Sequence, residues 1–442
     1  MTMKDSPLHC GLLGRHIDYS YSPRIHEEML GCDAYDLISL EPEELECFLK
    51  TTDLAGLNVT TPYKRAVVPC CVELDAEARA AGAVNTLYRG ADGWHGSNTD
   101  CLGFRVLLAA GGFDLRDKHV LVLGTGGAAA AVTRAVREQQ PAWLTICSRD
   151  PGALGPDVRA PLLGSEENSA TTDFCDYDHL PETVQAVINC TPVGTVPDLD
   201  ASPLDLSRLP SCETAIDLIY RPDRTRFLLQ AKELGMRTAN GLTMLTAQAI
   251  VSARLFRSGS AGVETVDPAQ LAKQAVRMAD QLHRMARNIV LVGMPGAGKT
   301  SLARQLAKEL GRPFADSDRE IRQRTGRFPA EILTEDGEAA FRDIEEMVIR
   351  DMACREGWVY STGGGIAERP DNLRRLKQTG YLIHIHKDPA SLSTRNRPLS
   401  QDPDRLTALF AHRDPLYKNA ADVTISNDRS FHKTLSAILR LV

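Results

Sequence analysis

Two glycine-rich loops of different types indicate that this chain binds phosphorylated ligands. The first loop, GTGGAAA at residues 124–130, follows the apolar run Val120–Leu123 and precedes a helix-forming run, Ala131–Glu138. This G-x-G-x-x-A pattern allows a tight turn, a close approach of the backbone to a pyrophosphate, and helix N–H groups that face the anion. A glycine-rich turn without a ligand is the alternative. The sequence therefore predicts a dinucleotide site formed by Gly124, Gly126, Gly127 and Ala128.

The end of the next predicted strand bears on which dinucleotide is bound. NAD enzymes usually place a carboxylate there, where it binds the ribose 2'-hydroxyl. Here the strand Trp143–Cys147 is followed first by Ser148 and Arg149, a hydroxyl and a guanidinium that suit a 2'-phosphate. The sequence thus favours NADP(H), and the neighbouring Asp150 keeps NAD open as the alternative.

The second loop, GMPGAGKT at residues 293–300, is a complete G-x-x-x-x-G-K-[ST] motif after a predicted buried strand, Asn288–Val292. In this motif backbone N–H groups surround the phosphates, the lysine bridges β and γ oxygens, and the hydroxyl binds Mg²⁺. The sequence predicts an ATP and Mg²⁺ site formed by Gly293, Gly296, Ala297, Gly298, Lys299 and Thr300. The Asn-Lys-x-Asp motif that reads guanine is absent, which argues against a GTPase switch.

Polar loops ahead of the first glycine loop could supply a substrate pocket. Hydride transfer to a carbonyl requires a proton for the new alkoxide, and a lysine and a carboxylate in one cleft suit that task. Lys64 and Asp100 are the candidates, although each alone also fits an ordinary surface turn. Further hydroxyl and amide groups are Ser20 and Ser22, expected on one side of an extended segment, with Asn58, Thr60 and Asn85.

Charged residues follow the second loop at spacings that suit metal and substrate binding. Asp316 and Asp318 alternate, so in an extended segment their carboxylates would share a face, and a helix N-cap pair is the alternative. Arg342 and Glu345 lie one helical turn apart and could form a plain surface ion pair.

Three further features of the C-terminal sequence are ambiguous. The run Gly363–Gly365 after the predicted strand Val359–Ser361 lets a ligand approach the backbone. Arginines in a polar tract indicate either a cationic lid or solvated surface; they are Arg395, Arg397 and Arg413. His384 and His386 alternate on a predicted strand, and without a third ligand nearby they are interpreted as strand-face residues, not a metal site.

The elements that must position these groups have the spacing of βαβ units and predict an α/β fold. Predicted strands before and after the first loop are Val120–Leu123, Trp143–Ile146, Ala186–Asn189 and Thr214–Ile219. A small, polar stretch begins near Phe256 and continues into a helix with Asp267 at the N-cap and Pro268 at the first position. Residues 259–287 are thus predicted to be a helical linker. Its apolar stripe favours packing within the chain and leaves a homodimer open.

Residues 8–255 resemble the shikimate dehydrogenase family. The motifs appear in family order: SxSP at 20–23, NVTxPxK at 58–64, GAVNTL at 82–87, GxNTDxxG at 96–103, NCTPVG at 189–194, DLIYxP at 217–222, and GLTML at 241–245. The resemblance implies a substrate-binding α/β domain at residues 1–105 with 240–258, and a Rossmann domain at residues 106–239. It also implies NADPH-dependent reduction of 3-dehydroshikimate to shikimate. Glu27 departs from the family pattern, which usually has asparagine there.

The same resemblance implies roles for particular residues. Lys64 and Asp100 would be the catalytic pair. The substrate would be held by Ser20, Ser22, Asn58, Thr60, Asn85, Asp100 and Gln248. Besides the glycine loop, the cofactor would contact Thr191, Tyr220, Gly241 and Met244.

Residues 288–442 resemble the shikimate kinase family in the order of the phosphate loop, Asp316 to Asp318, Arg342, the glycine run and the later arginines. The resemblance implies a P-loop NMP-kinase-like α/β domain with a parallel sheet, which phosphorylates the 3-hydroxyl of shikimate using MgATP. Thr300 and Asp316 would hold Mg²⁺, and Asp318 would accept the hydroxyl proton. The substrate would contact Arg342, Arg413 and Gly363–Gly365. Arg397 would close over the γ-phosphate and Arg395 would stack on adenine, in a lid at 392–399 that is shorter than usual.

Length and composition agree with this picture. At ~150 residues per domain, the 442 residues indicate about three folding units. The 51 basic and 58 acidic residues give a net charge of -7, which argues against nucleic acid or an anionic membrane as partner. No apolar run approaches the ~20 residues that cross a bilayer. The eleven cysteines are odd in number and lack zinc-type spacing, which predicts reduced thiols in a cytoplasmic protein.

The sequence therefore predicts a bifunctional enzyme in which the product of one site is the substrate of the other. One alternative is a quinate/shikimate dehydrogenase that uses NAD, fused to the kinase. The other is a metabolite-sensing regulator derived from such enzymes. Such a regulator would be expected to have lost catalytic groups. This chain retains them: Lys64, Asp100, Lys299, Thr300, Asp316 and Asp318.

Overall fold

The computed structural model describes residues 7–15, 17–164, 171–259, 266–392, 403–428 and 430–442. It separates into two compact units. The first unit comprises Met1–Val193, Ser202–Tyr220 and Phe227–Gln281, and the second comprises Gly194–Ala201, Arg221–Arg226 and Leu282–Val442. No helix in the described ranges is long and apolar enough to span a membrane.

The first unit begins with a six-stranded mixed sheet of order β2-β1-β3-β5-β6-β4. Its strands are His9–Gly14 (β1), Ala34–Ser39 (β2), Gly56–Val59 (β3), Cys71–Leu74 (β4), Thr86–Arg89 (β5) and Trp94–Ser97 (β6). Around it lie Leu45–Thr51 (α1), Ala76–Ala81 (α2), Asp100–Gly111 (α3) and a π-helical turn, Arg24–Met29. β5 is antiparallel to β3 and β6, which departs from βαβ spacing because the turn at residues 90–93 joins β5 directly to β6.

The second sheet of this unit is parallel and has the order β12-β11-β10-β7-β8-β9. Its strands are His119–Leu123 (β7), Trp143–Cys147 (β8), Thr171–Cys175 (β9), Ala186–Asn189 (β10), Thr214–Asp217 (β11) and Arg237–Ala239 (β12). The accompanying helices are Gly127–Glu138 (α4), Pro156–Leu163 (α5), Arg226–Glu233 (α6) and Leu242–Ser258 (α7). The strand order reverses between β7 and β10, which is where open α/β sheets bind ligands. The α/β fold with a Rossmann domain, which the family resemblance implies for this part of the chain, is confirmed.

The helix Pro268–Ala286 (α8) begins where the sequence predicts, and the side chain of Asp267 accepts a hydrogen bond from Ala269 N at 3.0 Å. Its apolar stripe is largely covered within the chain: Leu271, Ala275, Met278 and Leu282 are buried, whereas Met285 is exposed. The boundary between the two units falls within this helix, after Gln281. This burial agrees with packing of the stripe within the chain, which the sequence favours.

The second unit is built on a five-stranded parallel sheet of order β14-β15-β13-β16-β17. Its strands are Asn288–Val292 (β13), Phe314–Asp316 (β14), Val359–Ser361 (β15), Gly380–His386 (β16) and Val423–Ser426 (β17). Its helices are Lys299–Leu310 (α9), Ser317–Thr325 (α10), Pro329–Glu335 (α11), Gly337–Ala353 (α12), Pro370–Thr379 (α13), Pro403–Ala420 (α14) and Phe431–Leu439 (α15). All residues of the central strand β13 are buried, as expected for a parallel strand covered by helices on both faces.

Candidate active sites

A cavity of about 250 Å³ in the first unit gathers most of the polar residues predicted to bind a substrate. Its lining includes Ser20, Ser22, Asn58, Thr60, Lys64, Asn85, Asp100 and Gln248. Ala128 of the first glycine loop also lines it, as do Tyr220, Gly241 and Met244, which were predicted to contact the cofactor. The predicted substrate and cofactor groups therefore meet at one cavity.

Lys64 and Asp100 form an ion pair in this cavity, with Lys64 Nζ 2.5 Å from Asp100 Oδ2. Their side chains are only 18% and 9% exposed. Asp100 is the first residue of α3, where the helix dipole favours a carboxylate. Asn85 Nδ2 donates to the other oxygen of Asp100 at 2.8 Å. The carboxylate is thus fixed from two sides and holds the ammonium group at the cavity wall.

Asn58 is held by residues that the sequence analysis did not single out. Tyr35 donates its hydroxyl proton to Asn58 Oδ1 at 2.7 Å, and Asn58 Nδ2 donates to Ser252 Oγ at 2.9 Å. Burial raises the pKa of Tyr35 well above its ordinary value, so the hydroxyl remains a donor. No local spacing could have indicated Ser252, because it lies in the middle of α7 and 194 residues from Asn58.

The serine pair and its neighbourhood differ from the predicted extended segment. Ser20 ends a turn, with its N–H donating to Ile17 O, and Ser22 lies at the start of a helical turn. Ser20 Oγ donates to Ser22 Oγ at 3.1 Å, so the two hydroxyls are nonetheless adjacent. Glu27 accepts a hydrogen bond from Tyr35 N at 2.8 Å. This unusual residue therefore supports the backbone of β2.

The first glycine loop has the shape of a phosphate cradle. Gly124 has φ 103°, and a Cβ atom there would lie 3.1 Å from Cγ2 of Thr191. Thr191 is itself fixed by a 2.7 Å hydrogen bond from its hydroxyl to Asn189 Oδ1. Helix α4 begins at Gly127, four positions before the predicted helix Ala131–Glu138, so the second half of the glycine-rich loop is already helical. Gly126 at its N-cap has no side chain to cap the first N–H groups, which suits an anionic ligand.

The residues after β8 present a guanidinium rather than a carboxylate. Asp150 Oδ1 accepts a hydrogen bond from Ala153 N at 3.1 Å, so it is engaged in its own turn. Arg149 is exposed, and no ion pair involves it in the part of the chain that the structure describes. This arrangement suits a 2'-phosphate better than a ribose hydroxyl.

The second glycine loop wraps around Lys299, which is only 6% exposed. Lys299 Nζ donates to Gly293 O at 2.8 Å and to Met294 O at 3.0 Å. Gly296 and Gly298 have φ values of 87° and 93°, a conformation that side chains other than glycine rarely adopt. The loop thus places an ammonium group and backbone N–H groups at the start of α9, as binding of a triphosphate requires.

Oxygen ligands suitable for Mg²⁺ lie beside this loop. Thr300 donates its hydroxyl proton to Asp316 Oδ2 at 3.0 Å, and its Oγ1 is also 3.0 Å from Ser361 Oγ. Hydroxyl and carboxylate oxygens are the ligands that Mg²⁺ prefers. Asp318, however, is not in an extended segment with Asp316. The helix α10 begins at Ser317, so Asp318 lies in its first turn. Asp316 is the N-cap but makes no side-chain capping bond.

Arg342 and Glu345 are buried and do not form the surface pair considered from the sequence. Arg342 Nη1 donates to Glu345 Oε2 at 2.7 Å, and the side chains are 10% and 1% exposed. Burial raises the pKa of Glu345, and the positive charge of Arg342 opposes that shift. The Nε of Arg342 is buried without a hydrogen-bond partner among the described residues. This donor is therefore left unsatisfied inside the protein.

The glycine run lies directly against these groups. A Cβ atom at Gly363 would be 2.7 Å from Asp318 Oδ1, and one at Gly365 would be 2.3 Å from Arg342 Nη1. Arg413 donates from Nη1 to Gly364 O at 3.1 Å and from Nε to Glu368 Oε1 at 2.6 Å. Tyr417, which the sequence analysis missed, donates its hydroxyl proton to the same carbonyl of Gly364. Asp318, Arg342, Arg413 and the glycine backbone therefore converge.

The lid predictions lie outside the described residues. They concern Arg395, Arg397 and the segment that follows Leu392.

Replacement of Gly365 by alanine is expected to raise the KM of the second unit for shikimate, the substrate that the sequence analysis predicts for it. The added methyl group would displace the Arg342 guanidinium, and loss of a charged hydrogen bond of about 1.5–3 kcal/mol corresponds to roughly ten- to a hundredfold. Gly365 has φ -93°, so alanine fits the backbone and the fold should persist. Steady-state kinetics would show an unchanged KM for MgATP, and an unchanged KM for the acid would contradict the assignment.

Comparison with known families gives matches in both parts of the chain. The family model described as the shikimate dehydrogenase substrate binding domain matches residues 12–87. The model described as shikimate kinase matches residues 295–442.

Relatives of both kinds are similar over most of their own length. The chain is 34% identical over 259 residues to a shikimate dehydrogenase (NADP(+)) of Crocosphaera subtropica, which covers 56% of this chain and 89% of the relative. It is 45% identical over 150 residues to a shikimate kinase of Burkholderia lata, which covers 32% of this chain and 82% of the relative.

Solved structures resemble the N-terminal part in fold. Shikimate dehydrogenase 1 from Peptoclostridium difficile has a TM-score of 0.54 at 27% identity, covering 62% of this chain and 98% of that one. A chorismate mutase/shikimate 5-dehydrogenase fusion protein from Clostridium acetobutylicum has a TM-score of 0.52 at 28% identity, covering 62% and 98%.

Proposed function

We propose that the two residue clusters are the two active sites of one enzyme, since the chain belongs to the shikimate dehydrogenase family through its N-terminal part and to the shikimate kinase family through its C-terminal part. The protein is a bifunctional enzyme of the shikimate pathway that uses NADP(H) and ATP. It reduces 3-dehydroshikimate to shikimate and phosphorylates shikimate at the 3-hydroxyl. We retain the domain division predicted from the sequence, with a cytoplasmic location, as part of the proposal.

In the first site, bound NADPH supplies a hydride to the ketone carbon of 3-dehydroshikimate. The Lys64 ammonium donates a proton to the carbonyl oxygen, so ketone, hydride and proton together give the alcohol. Asp100 keeps Lys64 in place through the 2.5 Å ion pair. Because Asn85 fixes the second carboxylate oxygen, Lys64 has a single preferred position at the cavity wall.

The remaining polar groups of the cavity orient the substrate. Ser20 and Ser22 present adjacent hydroxyls suited to the carboxylate or ring hydroxyls, and Thr60 and Gln248 provide further donors. Arg149 and Ser148 bind the 2'-phosphate of the cofactor in this proposal. The free guanidinium of Arg149 and the engaged carboxylate of Asp150 are the support for NADP over NAD.

In the second site, MgATP supplies the phosphoryl group. Lys299 and the loop backbone bind its phosphates, while Thr300 and Asp316 hold the metal. Asp318 accepts the proton of the 3-hydroxyl as the oxygen attacks phosphorus, and the shikimate carboxylate binds Arg342 and Arg413. The position of Arg342 and Arg413 against the backbone of Gly364 and Gly365 supports these roles.

The observation that carries the proposal is the cavity where the Lys64–Asp100 pair and the first glycine loop meet, together with a complete phosphate loop in the other unit. A coupled assay with 3-dehydroshikimate, NADPH and MgATP tests it. We expect one NADPH oxidised and one ADP released per substrate molecule, and omission of ATP should stop only ADP release. Faster oxidation of quinate with NAD⁺ than of shikimate with NADP⁺ would instead support the quinate alternative.

A further inference from the structure

Three metal-binding side chains that the proposed reactions do not use converge in the second unit, beside the phosphate loop: a Cβ atom at Gly293 would lie 3.3 Å from Cδ2 of His384. His384 and His386 alternate on β16, so their rings lie on the same face of the sheet. Asp414, on α14, has its Oδ1 3.1 Å from Nδ1 of His386 and 3.4 Å from Nε2 of His384. The three ligand atoms lie within 4.8 Å of one another. The sequence analysis found no third ligand because Asp414 is 28 residues from His386.

The buried histidine has a free ligand atom that is directed into this cluster. His384 is only 1% exposed, and its Nε2 makes no hydrogen bond within the described residues. Its other ring nitrogen, Nδ1, lies 3.4 Å from Thr424 Oγ1. A proton on Nδ1 donated to that hydroxyl leaves a lone pair on Nε2, the tautomer that a metal ligand requires. A buried polar atom without a partner is costly, and a bound ion would remove that cost.

The spacing and the chemistry of the donors select a class of ion. Zinc sites have metal–ligand distances of about 2.0–2.2 Å, which places tetrahedral ligand atoms about 3.3 Å apart. The distances of 3.1 Å and 3.4 Å from Asp414 fit that spacing. Imidazole nitrogen favours zinc and other late first-row metals, whereas Mg²⁺ prefers oxygen.

We propose that His384, His386 and Asp414 bind a transition-metal ion of the Zn²⁺ type, with water as the fourth ligand. His386 and Asp414 are 34% and 18% exposed, so the ion would enter from the solvent side. The ion would connect β16 to α14, the helix that carries the substrate arginine Arg413. It would therefore stabilise the second unit. None of the steps proposed for either reaction uses His384, His386 or Asp414, so this inference can fail while the proposed function stands.

Cobalt titration of the full-length protein tests the site, because Co²⁺ reports ligand type through its visible spectrum. Excess Mg²⁺ is present to occupy the Thr300–Asp316 site. We expect one Co²⁺ per chain with a spectrum of nitrogen and oxygen ligands, without the charge-transfer bands of cysteine thiolate, and displacement of Co²⁺ by Zn²⁺. Zn²⁺ should also raise the unfolding midpoint.

Substitution of either accessible ligand should weaken this binding. His386→Gln and Asp414→Asn are each expected to lower the affinity for Co²⁺ at least about a hundredfold, the upper end of what even outer-shell changes cause. His432→Gln, a change on α15, is the matched control and should bind as wild type. Unfolding midpoints in EDTA would show whether each variant is folded. Absence of the expected spectrum in the wild-type protein, or equal uptake by His386→Gln, would overturn the proposal.

Discussion

Replacement of Lys64 by alanine is expected to lower kcat for 3-dehydroshikimate reduction by about 10²- to 10⁴-fold, the usual contribution of a positioned proton donor. The variant loses the ammonium group that lies 2.5 Å from Asp100, and no other described lysine lines the cavity. Absorbance of NADPH measures the loss. ADP release with added shikimate should be unchanged, because Lys299 and its loop belong to the other unit.

A second lysine in the same unit provides the control for this experiment. Lys50 also pairs with a carboxylate, Glu46 at 2.6 Å, but the two side chains are 71% and 74% exposed. Such a surface pair contributes ~0–1 kcal/mol, so Lys50→Ala should reduce 3-dehydroshikimate as wild type does. Near-wild-type reduction by Lys64→Ala would refute the catalytic role of this residue. Loss of both activities in a variant with a normal unfolding midpoint would refute the assignment of two separate sites.

Local backbone features were the most predictable part of this molecule. The strand β13 and the loop that follows it could be predicted from the sequence, because four consecutive apolar residues followed by G-x-x-x-x-G-K-T have few alternative conformations. The same holds for the first loop after β7. Both loops depend on contacts between residues close in the chain and on the freedom of glycine at positive φ.

Burial and long-range partners were less predictable, because they depend on packing between distant segments. The 3-residue spacing of Arg342 and Glu345 is the same for a surface pair and for a buried one, and only the packing of α12 makes it buried. Asn58 was identified from its motif, but its bond to Ser252 joins segments 194 residues apart. Asp414 completes the histidine cluster in the same way. In each case the residue type indicated the chemistry, but the sequence did not indicate the burial or the partners of the side chain.

The net charge of -7 illustrates how little global charge says about a site that binds anions. Both proposed substrates are carboxylates and both nucleotides carry phosphates, yet the chain repels anions on average. The sites overcome this locally. Backbone N–H groups at the starts of α4 and α9 provide partial positive charge without adding a side chain. Arg342 and Arg413 are each neutralised by a buried or half-buried glutamate, so their contribution is directional rather than one of net charge.

Replacement of Lys299 by alanine is expected to lower kcat for shikimate-dependent ADP release by about 10³-fold or more. Losses of this size are usual when a group that stabilises the phosphoryl group during its transfer is removed. Lys299 is the buried cation of the loop, and its bonds to Gly293 O and Met294 O orient Nζ toward the phosphate cradle. The truncation also removes those two bonds and loosens the loop. KM for MgATP should therefore rise together with the fall in kcat, and NADPH oxidation should stay at the wild-type rate.

Lys308, in the last turn of the same helix α9, separates this effect from a general effect of lost charge. Lys308 lies about two and a half helical turns from Lys299, on the opposite face of the helix, and it is exposed. Lys308→Ala should release ADP at the wild-type rate. If Lys299→Ala also lost 3-dehydroshikimate reduction while its unfolding midpoint stayed normal, the two reactions would share a site, and the phosphate loop would not belong to the kinase alone. If it retained ADP release, the triphosphate would have to bind elsewhere in the chain.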